Sequence, residues 1–133
     1  MKKDEAAPPA RLLVADDHPL IRESTKLMLK GENDLKIVGE AVNGQHALEL
    51  CRQLRPDLVL MDVRMPDMDG LTATRVIKEE IPAISVLVVT AYESEDYRRE
   101  AASAGAAGYI LKDAPRQQVL EAVRKALPDR GEG

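Results

Sequence analysis

The apolar runs of this sequence hardly alternate with polar residues, and this feature constrains the fold more than any other. The runs RLLVA (11–15), DLVLMD (57–62) and ISVLVVTA (84–91) are apolar at consecutive positions, whereas LKIVGEA (35–41) alternates only in part. Because successive side chains of a strand point to opposite faces, such runs indicate strands that are buried on both faces. This burial is typical of a parallel sheet with helices packed on each side.

Segments with helical periodicity separate these runs. Apolar residues recur at helical spacing in 20–28, 47–51 and 71–77. Ser94 is suited to cap a fourth helix, and Pro115 opens a fifth one after the last run, AGYILK (107–112). The dipeptide NG at 43–44 is common in hairpin turns, but the helical spacing after it favours a helix. Five strand–helix pairs predict an α/β fold, a doubly wound five-stranded parallel sheet with helices on both faces, of the flavodoxin-like type.

The length of 133 residues fits one domain, which we place at residues 11–127. Residues 1–10 have lysines but no apolar core after them, so we predict a flexible tail and no signal peptide. The segment PDRGEG (128–133) is predicted to be the start of a linker or a disordered tail. The net charge of −4 argues against binding to nucleic acid or to a membrane by charge alone, and no run can span a bilayer. We therefore expect a cytoplasmic protein.

Polar residues follow the predicted strands directly. Asp16 and Asp17 follow the first strand, Asp62 ends the third, Thr90 ends the fourth and Lys112 follows the fifth. Acidic residues after a strand commonly cap a helix or form a turn, so the first pair alone does not define a site. If all five strands are parallel, however, these residues meet at the carboxyl edge of the sheet, where α/β proteins bind their ligands.

Three carboxylates at one edge repel one another and require compensation by positive charge. Mg²⁺ is bound by one or two carboxylates, retains waters and contacts phosphate oxygens. Lys112 would supply an ammonium for a phosphate oxygen and Thr90 a hydroxyl, while a carboxylate can itself act as the nucleophile and form an acyl phosphate. The set therefore predicts a site for a phosphoryl group with Mg²⁺ as the cofactor. Ordinary structural roles are expected for His18, in a loop, and for His46 and Cys51, in a helix.

Four motifs together resemble a known family. ADDHPL, VLMDVRMPDMDGL, VVTAYE and GYILKDA are similar to the receiver domain of bacterial two-component response regulators, over about residues 11–127. The resemblance implies that Asp62 accepts a phosphoryl group from a sensor histidine kinase and that Lys112 contacts it. It also implies roles for six residues: Mg²⁺ bound by Asp17, Asp62 and the backbone carbonyl of Arg64, with Asp16 acting through a coordinated water, and a switch pair of Thr90 and Tyr109.

Further motifs narrow the resemblance to a subfamily. KDA, IVGEAVNG and DVRMPDMDG resemble the NarL/FixJ (LuxR-type) regulators, which carry a C-terminal helix-turn-helix. That resemblance implies homodimerisation on phosphorylation and contact with DNA only through such an output domain, which is absent from this chain. The chain is expected to be an excised receiver that ends in its linker, or else a stand-alone regulator. Tyr109 could also serve only as a packing residue of the core.

Two alternative functions remain to be compared with the signalling function. A small aspartyl-phosphate phosphohydrolase would use Asp62 as a transient nucleophile. Haloacid-dehalogenase-type enzymes place a second acid two residues later, but here that position is Arg64, which cannot act as a base. A nucleotide-binding Rossmann domain would require G-x-G-x-x-G or a P-loop after the first strand, and neither is present. We therefore expect a signalling domain rather than an enzyme with a separate substrate.

Overall fold

A computed structural model describes residues 8–128. Within them, five strands form one parallel sheet in the order β2-β1-β3-β4-β5, and five helices connect or follow the strands. The elements are β1 (Ala10–Ala15), α1 (Pro19–Leu29), β2 (Leu35–Ala41), α2 (Gly44–Leu54), β3 (Leu58–Asp62), α3 (Gly70–Glu80), β4 (Ser85–Thr90), α4 (Glu95–Ala104), β5 (Gly108–Leu111) and α5 (Arg116–Ala126). The predicted doubly wound α/β fold is confirmed.

The strand order places the ends of β1 and β3 side by side. After β1 the chain crosses to the edge strand β2, and it then returns to the other side of β1 to form β3. Ala15 is in register with Met61, Asp62 with Val89 on β4, and Thr90 with Leu111 on β5. The polar residues that end these strands therefore share the carboxyl edge of the sheet, as the sequence predicts.

Aliphatic side chains fill both faces of the sheet. On β3, Val59 and Met61 face the helices α2, α3 and α4, whereas Leu58 and Leu60 face α1 and α5. All four side chains are buried, which explains why the strand has no polar alternation. Cys51 points from α2 into the first of these cores, and burial raises the pKa of its thiol to about 12.

The observed boundaries differ from the predicted ones by one or two residues in places. β1 begins at Ala10, one residue before the predicted domain start, because Ala10 is 1% exposed and in register with Leu35 of β2. Most of the predicted tail (1–10) and of the predicted linker (128–133) lies outside the described residues, at 1–7 and 129–133. These two predictions therefore stay predictions. Among the described residues, no helix has the length and hydropathy needed to cross a membrane.

Capping side chains explain where several helices begin. The Asn43 side chain accepts a hydrogen bond from the backbone N–H of His46 at the start of α2, so the NG dipeptide begins a helix and does not form a hairpin. Ser94 caps α4 in the same way through the N–H of Tyr97, as predicted. Such caps satisfy backbone donors that have no partner inside the helix.

Candidate functional site

Lys112 joins the two buried carboxylates at the carboxyl edge of the sheet. Its Nζ lies 2.7 Å from Asp16 Oδ2 and 3.3 Å from Asp62 Oδ2. Asp16 is 3% exposed and Asp62 is 4% exposed, and Lys112 is itself largely covered. The strand ends therefore bring together three charged groups that are far apart in sequence.

The charges of this cluster are not balanced. Burial raises the pKa of Asp62, and the negative charge of Asp16 raises it further, while Lys112 and the backbone N–H of Arg64 oppose the shift. Burial acts to lower the pKa of Lys112, but its pairing with Asp16 and Asp62 outweighs this and raises the pKa. One ammonium thus faces two carboxylates, so the site favours a further positive charge.

Asp17 has a carboxylate oxygen that is suited to bind a cation. Its Oδ1 is buried from solvent and accepts no hydrogen bond among the described residues, and Nδ1 of His18 lies 3.2 Å from it. Ligand atoms of Asp16, Asp17, His18 and Asp62 all lie within 4.8 Å of one another. A buried carboxylate oxygen without a donor is costly, and a divalent cation with oxygen ligands would satisfy it. The residues present therefore fit a metal ion such as Mg²⁺.

His18 lies closer to the site than its predicted loop role suggests. Its backbone N–H donates to Asp16 Oδ1 over 2.9 Å, and its Nδ1 lies 3.0 Å from the same oxygen. It also occupies the N-cap position of α1 without a side-chain cap. The sequence signal that could have identified it is its position directly after two acids, where a short turn brings the ring back to them.

Tyr92 connects the two predicted switch residues through its backbone. Its N–H donates to the Oγ1 of the fully buried Thr90 over 3.2 Å, and its carbonyl accepts the hydroxyl of Tyr109 over 2.6 Å. The ring of Tyr109 is only partly buried and lies under the guanidinium of Arg98, 4.6 Å from its centroid. Tyr109 is therefore held by polar contacts at the surface, while the residue also packs against the core on one side of the sheet.

Arg64 and Tyr92 border the site, although each follows a different strand. The Arg64 guanidinium lies 5.1 Å from the centroid of the Tyr92 ring, in a cation–π contact. The Tyr92 ring also meets that of Tyr97 edge to face, at 6.3 Å between centroids. A long cation and a ring thus lie side by side at the ends of β3 and β4.

The loop between β3 and α3 is supported by a segment that sequence reasoning did not connect with the site. Gly44 at the start of α2 donates its N–H to the carbonyl of Met68 over 2.9 Å, and Asn43 Nδ2 donates to Asp67 Oδ2 over 3.3 Å. Asp69 caps α3 by accepting from the N–H of Thr72. The loop that follows Asp62 is therefore fixed by contacts with α2 as well as by α3.

Comparison with known proteins identifies the family. Residues 12–124 match the response regulator receiver domain family. The chain belongs to this family. Within the family, this chain is 43% identical to the response regulator GacA of Pseudomonas aeruginosa over 117 residues. These residues make up 88% of this chain and 55% of GacA. Solved receivers of a NarL regulator and of a LuxR-family regulator are 36% and 31% identical to this chain, which confirms the resemblance to LuxR/NarL-type regulators.

Solved structures agree with this assignment. The receiver domain of the putative response regulator NarL from Mycobacterium tuberculosis matches with a TM-score of 0.85 and 36% identity, over 89% of this chain and 95% of that one. A chain of the CheX–CheY–BeF3–Mg²⁺ complex from Borrelia burgdorferi matches with a TM-score of 0.84 and 25% identity, over 91% of each chain. This receiver spans 55–58% of the length of the curated relatives GacA and YxjL that it matches.

Proposed function

We propose that Asp62 of this receiver accepts a phosphoryl group from a sensor histidine kinase. The observation that carries the proposal is the contact of Lys112 with both Asp62 and Asp16 at the end of β3. The cluster lies beyond the carboxyl ends of the strands, next to the switch in strand order between β1 and β3, where ligands of such sheets bind. Asp62 is the carboxylate that ends the central strand β3, and Lys112 links it to Asp16.

The reaction exchanges one phosphorus bond for another. A carboxylate oxygen of Asp62 attacks the phosphorus of a phosphohistidine, and the P–N bond breaks. The electron pair leaves with the imidazole nitrogen, which takes up a proton. Lys112, 3.3 Å from Asp62 Oδ2, offers its ammonium to an oxygen of the transferred group. The product is an acyl phosphate on Asp62.

Asp17, Asp62 and the backbone carbonyl of Arg64 would hold Mg²⁺, with Asp16 acting through a coordinated water. The buried Oδ1 of Asp17, which accepts no hydrogen bond, supports this assignment. The bound ion would neutralise charge on the phosphoryl oxygens. A relative of the same fold, in the CheX–CheY–BeF3–Mg²⁺ complex, was crystallised with Mg²⁺ and the phosphoryl mimic BeF3.

The domain would act as a signalling module and not as an enzyme with a separate substrate. Its chemistry would be limited to its own phosphorylation and to hydrolysis of the acyl phosphate. The alternative phosphohydrolase requires an acid two residues after Asp62, and that residue is Arg64. In the structure, the Arg64 side chain stacks on Tyr92, so it is engaged in a contact at the rim.

The signal would leave through Thr90 and Tyr109. A phosphoryl group adds about −1.5 to −2 charge and three acceptors, which would draw the Thr90 hydroxyl toward it. The shared contact through the Tyr92 backbone would then change, and Tyr109 would leave the surface. The altered surface of α4, β5 and α5 would change self-association, as in a homodimer, or free a tethered DNA-binding domain in a full-length cytoplasmic regulator.

Intact mass spectrometry tests the phosphorylation site. The receiver is incubated with acetyl phosphate and Mg²⁺, and we expect one added phosphoryl group that hydroxylamine removes. Asp62→Ala should remain unmodified, while Asp113→Ala, which removes an exposed acid next to Lys112, should be modified like the wild type. A stable added phosphoryl group on Asp62→Ala would overturn the assignment.

A further inference from the structure

The first turn of α2 makes an unusually close backbone contact with the loop that joins β3 to α3, residues 63–69. The N–H of Gly44 donates to the carbonyl oxygen of Met68 over 2.9 Å. A Cβ atom added to Gly44 would lie 2.2 Å from that oxygen and 2.8 Å from its carbon. Because both partners are backbone atoms, no rotamer change could relieve such a clash. The contact therefore requires glycine at this position.

A side-chain contact lies next to this backbone contact. Asn43 accepts a hydrogen bond from the N–H of His46 over 2.7 Å with its Oδ1, and its Nδ2 donates to Asp67 Oδ2 over 3.3 Å. Asp67 has a φ of 69°, in the left-handed region that few residues other than glycine adopt. Asn43 thus caps α2 and holds the strained part of the loop at the same time.

The loop held in this way carries groups of the proposed metal site. It leaves β3 at Asp62 and contains Arg64, whose backbone N–H acts to lower the pKa of the Asp62 carboxyl. It ends at Gly70, whose N–H donates to the carbonyl of Val63 over 2.8 Å. A displacement at Met68 would therefore be transmitted along a short, closed loop to Arg64 and Asp62.

We propose that Asn43 and Gly44 are positioning residues of the divalent-cation site. They fix the 63–69 loop so that the Arg64 carbonyl and the Asp62 carboxylate hold the geometry that the ion requires. This inference rests on the proposed function, because it concerns the same site. Residues that orient metal ligands without binding the metal themselves commonly weaken metal affinity by about 10- to 100-fold when they are replaced. The α2 terminus, on another part of the chain, thus contributes to metal binding without touching the metal.

The test compares Mg²⁺ affinity with stability in three variants. Gly44→Ala introduces the clash, and Asn43→Ser keeps a capping oxygen for α2 but removes the donor to Asp67. Gly39→Ala on β2 is the matched control, because its Cβ would meet only the flexible ends of leucine side chains at 3.0 Å or more. Mg²⁺ titration followed by amide NMR gives the affinity, and thermal unfolding without Mg²⁺ gives the stability.

We expect Gly44→Ala to raise the Mg²⁺ Kd by roughly tenfold or more, and Asn43→Ser to raise it by about two- to tenfold, as expected for one hydrogen bond. Gly39→Ala should keep the wild-type Kd. If both test variants keep the wild-type Kd, or if the control loses as much affinity as they do, the inference is wrong. If Gly44→Ala does not fold, Asn43→Ser decides by the same criterion.

The proposed function has a separate outcome in this experiment. Its metal site fails, and the inference fails with it, if the wild-type receiver shows no Mg²⁺ binding or if Asp17→Asn binds Mg²⁺ like the wild type. If the wild type binds and Asp17→Asn does not, while the Asn43 and Gly44 variants bind normally, only the positioning role is overturned.

Discussion

The guanidinium of Arg64 lies over the ring of Tyr92, 5.1 Å from its centroid, at the rim of the proposed phosphorylation site. Each residue comes two positions after the polar end of a strand, Asp62 on β3 and Thr90 on β4. The two side chains therefore join the chain segments that follow Asp62 and Thr90, and we expect this contact to shield an acyl phosphate on Asp62 from water that approaches on this side.

We predict that replacing both residues, as Arg64→Ala with Tyr92→Ala, shortens the lifetime of the acyl phosphate. A cation–π contact at an exposed site contributes about 0.5–1 kcal/mol, which corresponds to about two- to fivefold in rate. Loss of phosphoryl mass after removal of the phosphodonor measures the lifetime. Arg99→Ala, on the exposed side of α4, is the control and should leave the lifetime unchanged; an equal or longer lifetime in the double variant would contradict the shielding.

The second prediction concerns metal binding by Asp17. Two unit charges 4 Å apart interact by about 4 kcal/mol at an effective dielectric of 20, so Asp17→Asn should weaken Mg²⁺ binding by at least roughly tenfold. The same change should raise the unfolding midpoint in metal-free buffer, because it removes one charge from a cluster of repelling carboxylates. Asp96→Asn on α4 removes an exposed charge away from the cluster and should leave the Mg²⁺ affinity unchanged. An unchanged Mg²⁺ affinity in Asp17→Asn would exclude its role as a ligand.

The third prediction separates phosphorylation from signal transmission. Thr90→Ala should still accept a phosphoryl group at Asp62 but should transmit poorly, because the hydroxyl that bonds the Tyr92 N–H is gone. Amide hydrogen exchange with and without beryllofluoride measures the response of α4 and β5. Thr74→Ala is a matched control, since Thr74 is also fully buried but bonds a carbonyl within α3. If beryllofluoride changes exchange in the wild-type receiver only in the loops around Asp62, and not in α4 or β5, the proposed transmission through Thr90 and Tyr109 is wrong.

The fourth prediction concerns stability in acid. Hydrogen bonds from Arg124, and then from Arg116, lower the pKa of Glu32, and a hydrogen bond from Arg124 lowers the pKa of Asp34. A carboxyl group whose pKa is lowered on folding stabilises the protein at pH values above its pKa in the unfolded state. This stabilisation is lost as the pH falls through its pKa in the folded state. Stability should therefore decline below about pH 4, in the range where carboxyls ordinarily titrate.

Removing the shared arginine should flatten this decline. In Arg124→Gln the loss of stability between neutral pH and about pH 3 should be smaller than in the wild type. Chemical denaturation at a series of pH values measures it. Arg99→Gln, which removes an equal charge from an exposed pair with Asp96, should keep the wild-type profile. If stability falls more steeply with acid in Arg124→Gln than in the wild type, the direction assigned to the pKa shifts of Glu32 and Asp34 is wrong.

The sequence by itself determined which residues end the strands. Strands buried on both faces leave an unbroken apolar run, so the first polar residue after each run marks the carboxyl edge; Asp16, Asp62 and Lys112 were predicted from this rule. Asn43 and Ser94 could likewise be placed at helix starts, because capping depends on neighbours only a few residues away.

Only the tertiary structure decided how segments distant in sequence meet. The strand order, the stacking of Arg64 on Tyr92, the hydroxyl contact of Tyr109 and the approach of Gly44 to Met68 all join segments that no local pattern relates. Local periodicity reports whether a side chain is buried, but not what covers it, because that depends on the register of the strands and on the packing of helices against them. The strand-end residues of the proposed site could therefore be located from the sequence, whereas the approach of His18 to Asp16 and the contacts that hold these residues in place could not.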